Sequence, residues 1–270
     1  MNKHQKNLQH IQEFCLMDDV FFTKCFEGDT ECVQLVLQIV LNKPDLQVLE
    51  SHTQVFVENI MNRSVRFDVL ATDADGRYYN IEIQRTDKGA GYRRARYNSA
   101  MIDANLLEKG NDFDALPETY VIFITENDVI GEGRAIYQVE RFFVESGIPF
   151  DDGTHIVYVN GSYRGNSPIG KLMHDFACKE PSEMNYDVLA ERAKFFKESK
   201  EGTTIMSKVL EDMVLQAKKE ERQENQIETA KRMLKDGLLS IEKVAEYAGL
   251  NLDDVKNLSA QESRNGRSLL

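Results

Sequence analysis

Two acids in one hairpin are the residues best placed to do chemistry. Val65-Arg-Phe-Asp-Val-Leu-Ala-Thr72 and Arg77-Tyr-Tyr-Asn-Ile-Glu-Ile-Gln84 are rich in strand formers. Asp73-Ala-Asp-Gly76 between them is a strong hairpin signal. A three-residue loop Ala74-Asp75-Gly76, with Gly76 left-handed, pairs Asp73 with Arg77. Counting back in that register sets Asp68 opposite Glu82 and Arg66 opposite Gln84. Directly opposed residues share a face, so the two carboxylates have Cβ atoms about 5 Å apart. Two like charges that close are destabilising unless compensated, and a divalent cation held by hard oxygens is the natural compensation. A two-residue loop would instead shift the register by one and leave two ordinary surface acids.

A basic island begins one residue after Gln84. Arg85, Lys88, Arg93, Arg94 and Arg96 stand against the single acid Asp87, a local charge of +4 in a chain whose total is −12. Gly89 and Gly91 make the intervening turn adaptable, and the next helix opens with free backbone amides that suit a phosphate. These arginines could simply pair with surplus acids elsewhere. Their position beside the acid pair favours contacts to a phosphate backbone, with Arg93, Arg96 and Tyr97 on one helix face.

The elements that must position these groups follow from apolar periodicity. A helix is expected over 14–41, with Phe14, Phe21, Phe22, Cys25 and Phe26 on its apolar face and a break at Gly28-Asp29. Strands are expected over 54–60, in the two hairpin arms, over 120–125, from Ile136 to Val144, and over 155–160. A helix at about 92–109 separates the hairpin from the later strands. A long helix over 203–236 has an apolar seam that lapses from Lys218 to Gln226. Ser240 and Asn251 are caps for a compact helix pair over 240–258, separated by Gly249. Gln261 to Leu270 reads as disordered. The order implies a mixed α/β core with an all-helical C-terminal extension.

Asp68 followed fourteen residues later by Glu82-Ile83-Gln84 resembles the Asp…Glu-x-Gln variant of the PD-(D/E)xK nuclease core. The helix Asp19-Val-Phe-Phe-Thr-Lys-Cys-Phe26 resembles that family's first helix. The chain is similar to the Rpn family of recombination-promoting nucleases, also called PD-(D/E)xK family transposases. The likeness extends to the Arg/Tyr-rich helix at 92–109, to Asp175-Phe176 with Pro181, and to the closing helix pair, covering most of residues 14–260.

The resemblance implies a restriction-endonuclease-like core, a mixed sheet flanked by helices, over residues 1–200. Residues 203–236 then form a connector helix, 237–262 a helix-turn-helix-like pair, and 263–270 a disordered tail. It also implies a Mg2+-dependent DNA endonuclease, with Mn2+ as substitute, linked to recombination or transposition. Carried over by position, Asp68, Glu82 and the backbone carbonyl of Ile83 are metal ligands, and Asp19 is an auxiliary acid. Asp18 beside it points about 100° away, so only one of the two faces the site. Gln84 stands where the standard motif has Lys. Its amide can orient a water or a phosphate oxygen but takes up no proton. That departure keeps open a catalytically weak protein that binds DNA or a partner without cutting.

Composition narrows the rest. With 41% hydrophobic and 29% charged residues the chain has an ordinary globular make-up. A net charge of −12 excludes a wholly basic binder of nucleic acid but not an enzyme with a local basic surface. Four cysteines without a Cys-x-x-Cys pair provide neither a disulfide framework nor a zinc ribbon. Five histidines show no ligand spacing. The polar first residues lack a signal-peptide stretch, and no apolar run can span a bilayer. A cytoplasmic protein with reduced thiols is expected. Asp253 and Asp254 open the last helix and would repel phosphate. The closing pair therefore suits packing or self-association into a homo-oligomer better than DNA reading.

Overall fold

The computed structural model describes residues 3–59 and 63–267. The side chains of Asp87, Lys88 and residues 261–267 are outside that description, as are those of residues 3 and 4. Lys88 therefore has a described backbone only.

Three helices precede the sheet: α1 (Lys3–Glu13), α2 (Asp19–Phe26) and α3 (Thr30–Leu41). The expected break at Gly28 is present, and Asp29 caps α3 by accepting the Cys32 amide at 3.0 Å. Six strands follow: β1 (Val48–Val57), β2 (Val65–Asp73), β3 (Tyr78–Gln84), β4 (Thr119–Thr125), β5 (Ile136–Val139) and β6 (Thr154–Asn160). They form one mixed sheet in the order β1-β2-β3-β4-β6-β5. β3 and β4 are parallel neighbours joined by helix α4 (Tyr92–Leu106), so the basic helix lies on one face of the sheet, over the strand that carries Glu82 and Gln84.

The hairpin turn matches the expected three-residue loop. Val69 pairs with Ile81, Leu70 with Asn80, Ala71 with Tyr79 and Thr72 with Tyr78. Gly76 has φ +78°, a conformation glycine adopts without a Cβ penalty. Asp73 closes the turn by accepting the Asp75 and Arg77 amides at 3.0 and 2.9 Å. Neither the expected pairing of Asp68 with Glu82 nor that of Arg66 with Gln84 is part of the ladder. The β2–β3 ladder ends at Val69 and Ile81, and Arg66 pairs with Phe56 of β1 instead.

Apolar side chains cover both faces. On one, Phe22 and Phe26 pack at 6.1 and 6.4 Å centroid distance from Phe176 of α5 (Pro168–Ala177). The neighbouring Asp175 is fully buried and accepts the Asn185 and Tyr186 amides, tying down the turn before α6 (Asp187–Glu198). On the other face Ala95, Met101 and Ile102 of α4 pack against Phe67, Val121, Phe123 and Tyr158.

Several boundaries differ from expectation. β1 starts six residues before the expected residue 54, because a polar edge strand lacks clean alternation. β5 stops at Val139 rather than Val144, where Glu140-Arg141 replaces the strand formers. The last helix reaches Arg267, into the segment expected to be a tail, since nothing between Gln261 and Asn265 breaks a helix.

The chain divides into two compact units at Ser207/Lys208, inside α7 (Lys200–Asp236). The second unit buries Ala230 of α7 with Val244, Ala245 and Ala248 of α8 (Ile241–Ala248) and Val255 of α9 (Leu252–Arg267). Gly249 ends α8 in the left-handed region at φ +68°, as expected. Among the described residues no helix is long and apolar enough to cross a membrane.

Candidate active site

Asp68 sits on β2 just past the last ladder pair. Its Oδ2 accepts the Ile83 backbone N–H at 2.9 Å, so a carboxylate takes a donor that a continued ladder would have used. Glu82, in the middle of β3, is fully buried, and Asp68 is 8% exposed. Burial above all pushes the Asp68 carboxyl up to about 6, against the pull of the Ile83 amide and with a further push from the charge of Asp19. Burial, then the charge of Asp68, pushes Glu82 up to about 7. The charge of Asp68 is thus felt at Glu82, although the ladder ends before the two residues pair.

Glu82 is held at both oxygens. Asn80 donates to Oε1 at 2.9 Å, and Asn98 of α4 donates to Asn80 at 3.2 Å. Arg94 Nη2 donates to Oε2 at 2.6 Å. The same guanidinium lies 3.3 Å from Gln84 Oε1, 3.1 Å from the Gly89 carbonyl and 5.8 Å from the Phe123 ring centroid. Arg94 is therefore a cation already seated on the acid pair. A Cβ on Gly89 would lie 1.7 Å from Gln84 Oε1, so any larger residue there would displace the Gln84 amide.

A cavity of about 1330 Å³ opens over this floor. Asp68, Ile83 and Gln84 line it, as does Asp19, while Asp18 turns away to accept the Cys15 amide and to pair with Arg85 at 2.5 Å. That settles which of the two adjacent acids faces inward. Among the described residues no group of three or more His, Cys, Asp or Glu gathers at metal-binding spacing, so Asp19 shares the cavity without joining Asp68 and Glu82 as a third close ligand. Asp68, Glu82 and the Ile83 carbonyl remain the oxygens that could hold a cation.

A model of the PD-(D/E)XK nuclease family transposases matches residues 17–162, just over half the chain. The chain belongs to this family. No curated protein and no solved structure matches it. The family match spans every residue of the acid pair, the basic island and α4, so the nuclease-family core and the cavity coincide.

The island divides in two within this core. Arg85 and Arg94 are ion-paired, Arg85 with Asp18 and also with Glu126 at 3.2 Å, Arg94 with Glu82. Arg93 and Arg96 line the cavity, exposed, and among the described residues neither side chain has an acid or a hydrogen-bond partner. Sequence reasoning missed four participants. Asn80 and Asn98 orient Glu82, and an Asn two residues before an acid in a central strand was the available signal. Phe56 and Arg66 line the cavity from β1 and β2. Their signal lay in a long-range pairing that spacing does not reveal.

Proposed function

We propose that this nuclease-family protein is a metal-dependent DNA endonuclease that hydrolyses phosphodiester bonds at Asp68 and Glu82. The observation that carries this reading is a buried acid pair beside an arginine-lined cavity, Asp68 lining it and Glu82 fully buried against Arg94. The donor set suits a hard divalent cation. Both carboxyls hold their protons more tightly than usual, which is the behaviour of acids short of positive charge, and Arg94 already supplies one cation there. Asp68, Glu82 and the Ile83 carbonyl would hold Mg2+, or Mn2+ in its place. When bound, the ion supplies Lewis-acid stabilisation of the phosphate and makes a water acidic enough to attack at neutral pH.

The chain's own groups do the remainder. The Ile83 N–H fixes one Asp68 oxygen and leaves the other toward the cavity. Asn98 and Asn80 hold the Glu82 carboxylate in one rotamer. Gln84 lies two residues beyond Glu82 on the same strand and lines the cavity, where its amide can orient a phosphate oxygen or the attacking water. It has no basic group, so the water's proton passes to solvent as the new O–P bond forms, and the leaving sugar oxygen takes a proton from solvent as its bond to phosphorus breaks. Arg94 reaches both Glu82 and Gln84, and with Glu82 neutralised by a cation it would be free to face the phosphate with the charge that Gln84 lacks. Arg93 and Arg96 hold neighbouring phosphates. Asp19 adds negative field from the rim.

One observation favours a second reading, a protein that binds DNA without cutting it: both Glu82 oxygens are engaged, and Gln84 carries no charge. Incubation with supercoiled plasmid in Mg2+ or Mn2+, with EDTA and Asp68→Ala controls, separates the two. The endonuclease reading predicts metal-dependent nicking lost in both controls. Plasmid that stays supercoiled while the folded protein binds it would replace this reading with the second.

A further inference from the structure

We infer that the cavity takes DNA as a single strand, with an unstacked base against Phe56. The inference rests on the nuclease reading and names its substrate class. Phe56 is 65% exposed, although Val55 and Val57 beside it turn toward the core. In the β1–β2 ladder it pairs directly with Arg66, so ring and guanidinium stand together on one face and both line the cavity. Across the cavity, α4 presents Arg93, Arg96 and Tyr97.

Arg66, like Arg93 and Arg96, has no ion-pair or hydrogen-bond partner for its side chain among the described residues. In a chain of net charge −12 acids are abundant, so three unpaired arginines around one recess mark a place held for an anion. The exposed ring refines what kind. A basic groove with an aromatic platform is how proteins hold unpaired strands, because each base then has a free face to stack. In an intact duplex the base faces are covered by their neighbours. Phe56 would meet only charged backbone there, and burying it would gain nothing. Depth argues the same way. Asp68 is nearly buried and Glu82 wholly so. A flexible strand can carry its phosphate down to them more readily than a stiff duplex.

The test is fluorescence anisotropy on the full chain in EDTA, where binding is read without cleavage. The probes are one labelled oligonucleotide as a single strand and the same sequence as a blunt duplex. The single strand should bind at least about tenfold tighter. Phe56→Ala should weaken single-strand binding by about 5–150-fold, the range for losing one stacked base, and leave duplex binding unchanged. Phe56→Tyr should restore it, and Arg66→Gln should lower the salt slope on the single strand by about 0.7. Equal affinity for both probes, or Phe56→Ala without effect on the single strand, would overturn the inference. Plasmid cleavage that persists in Phe56→Ala alongside such a result removes this inference and leaves the nuclease. Single-strand preference without any metal-dependent cleavage removes the nuclease and leaves the binding site.

Discussion

Replacing Asp68 by Asn should stabilise the metal-free protein, and only at the higher end of the pH range. In the folded chain Asp68 is raised from the usual 3.8 to about 6. A carboxyl raised on folding binds its proton more tightly in the native than in the unfolded state. Its contribution to stability is full below pH 4 and is lost as pH rises through about 6. A shift of about 2 units corresponds to about 3 kcal/mol, undiminished by solvent because Asp68 is 8% exposed. Asn keeps an oxygen for the Ile83 N–H and carries no charge, so it removes this penalty and part of the repulsion on Glu82. In EDTA at pH 8, Asp68→Asn should therefore melt about 6–12 °C above wild type, at ~2–4 °C per kcal/mol for a unit of this size. At pH 4 the two should coincide. The assay is thermal denaturation at both pH values and fixed ionic strength, with saturating Mn2+ as a third condition in which wild type should regain the advantage. A variant no more stable than wild type at pH 8, or equally stabilised at both pH values, would refute the claim that burial opposes ionisation of Asp68.

Other consequences are smaller in scope. Arg93→Gln with Arg96→Gln should weaken DNA binding at all sequences and lower the salt slope by about 1 for each phosphate no longer neutralised, read by titration at several salt concentrations; an unchanged slope removes them from the footprint. Gln84→Ala should reduce turnover by roughly 10–1000-fold at saturating metal, as expected when one positioned polar group is removed, whereas equal cutting would make Gln84 scaffold. Asn80→Ala should weaken Mn2+ binding by about 10–100-fold in calorimetry, since it frees Glu82 Oε1 from its only described orienting amide; unaltered affinity would show that Arg94 and packing alone hold the acid.

How much of this was legible in the sequence depends on the range of the interaction. The hairpin register was readable because a left-handed Gly76 and an odd loop fix it locally, and register decides which face each acid takes. That only one of Asp18 and Asp19 faces the site was readable from helical angle; that it is Asp19 came from the family resemblance. The fate of the arginines was not. Helical spacing separates Arg94 from Arg93 and Arg96 but does not say which of them meets Glu82; Arg94 reaches it because α4 packs on the sheet through Ala95 and Ile102. The Asn98–Asn80–Glu82 chain crosses from helix to strand, and spacing is silent about that. Phe56 lies in the strand expected over 54–60, but its pairing with Arg66 of β2 is a cross-strand contact that spacing does not reveal. The asparagines and arginines that tune the acids were hidden for the same reason: each acts through a tertiary contact.

A crystal structure with Mn2+ and a short single-stranded oligonucleotide tests the central claim most directly. Anomalous scattering locates the ion without relying on activity. The account predicts a peak bounded by the Asp68 and Glu82 carboxylates and the Ile83 carbonyl, with the Arg94 guanidinium moved off Glu82 and toward the phosphate. Manganese bound elsewhere, with the 2.6 Å Arg94–Glu82 pair intact, would contradict it.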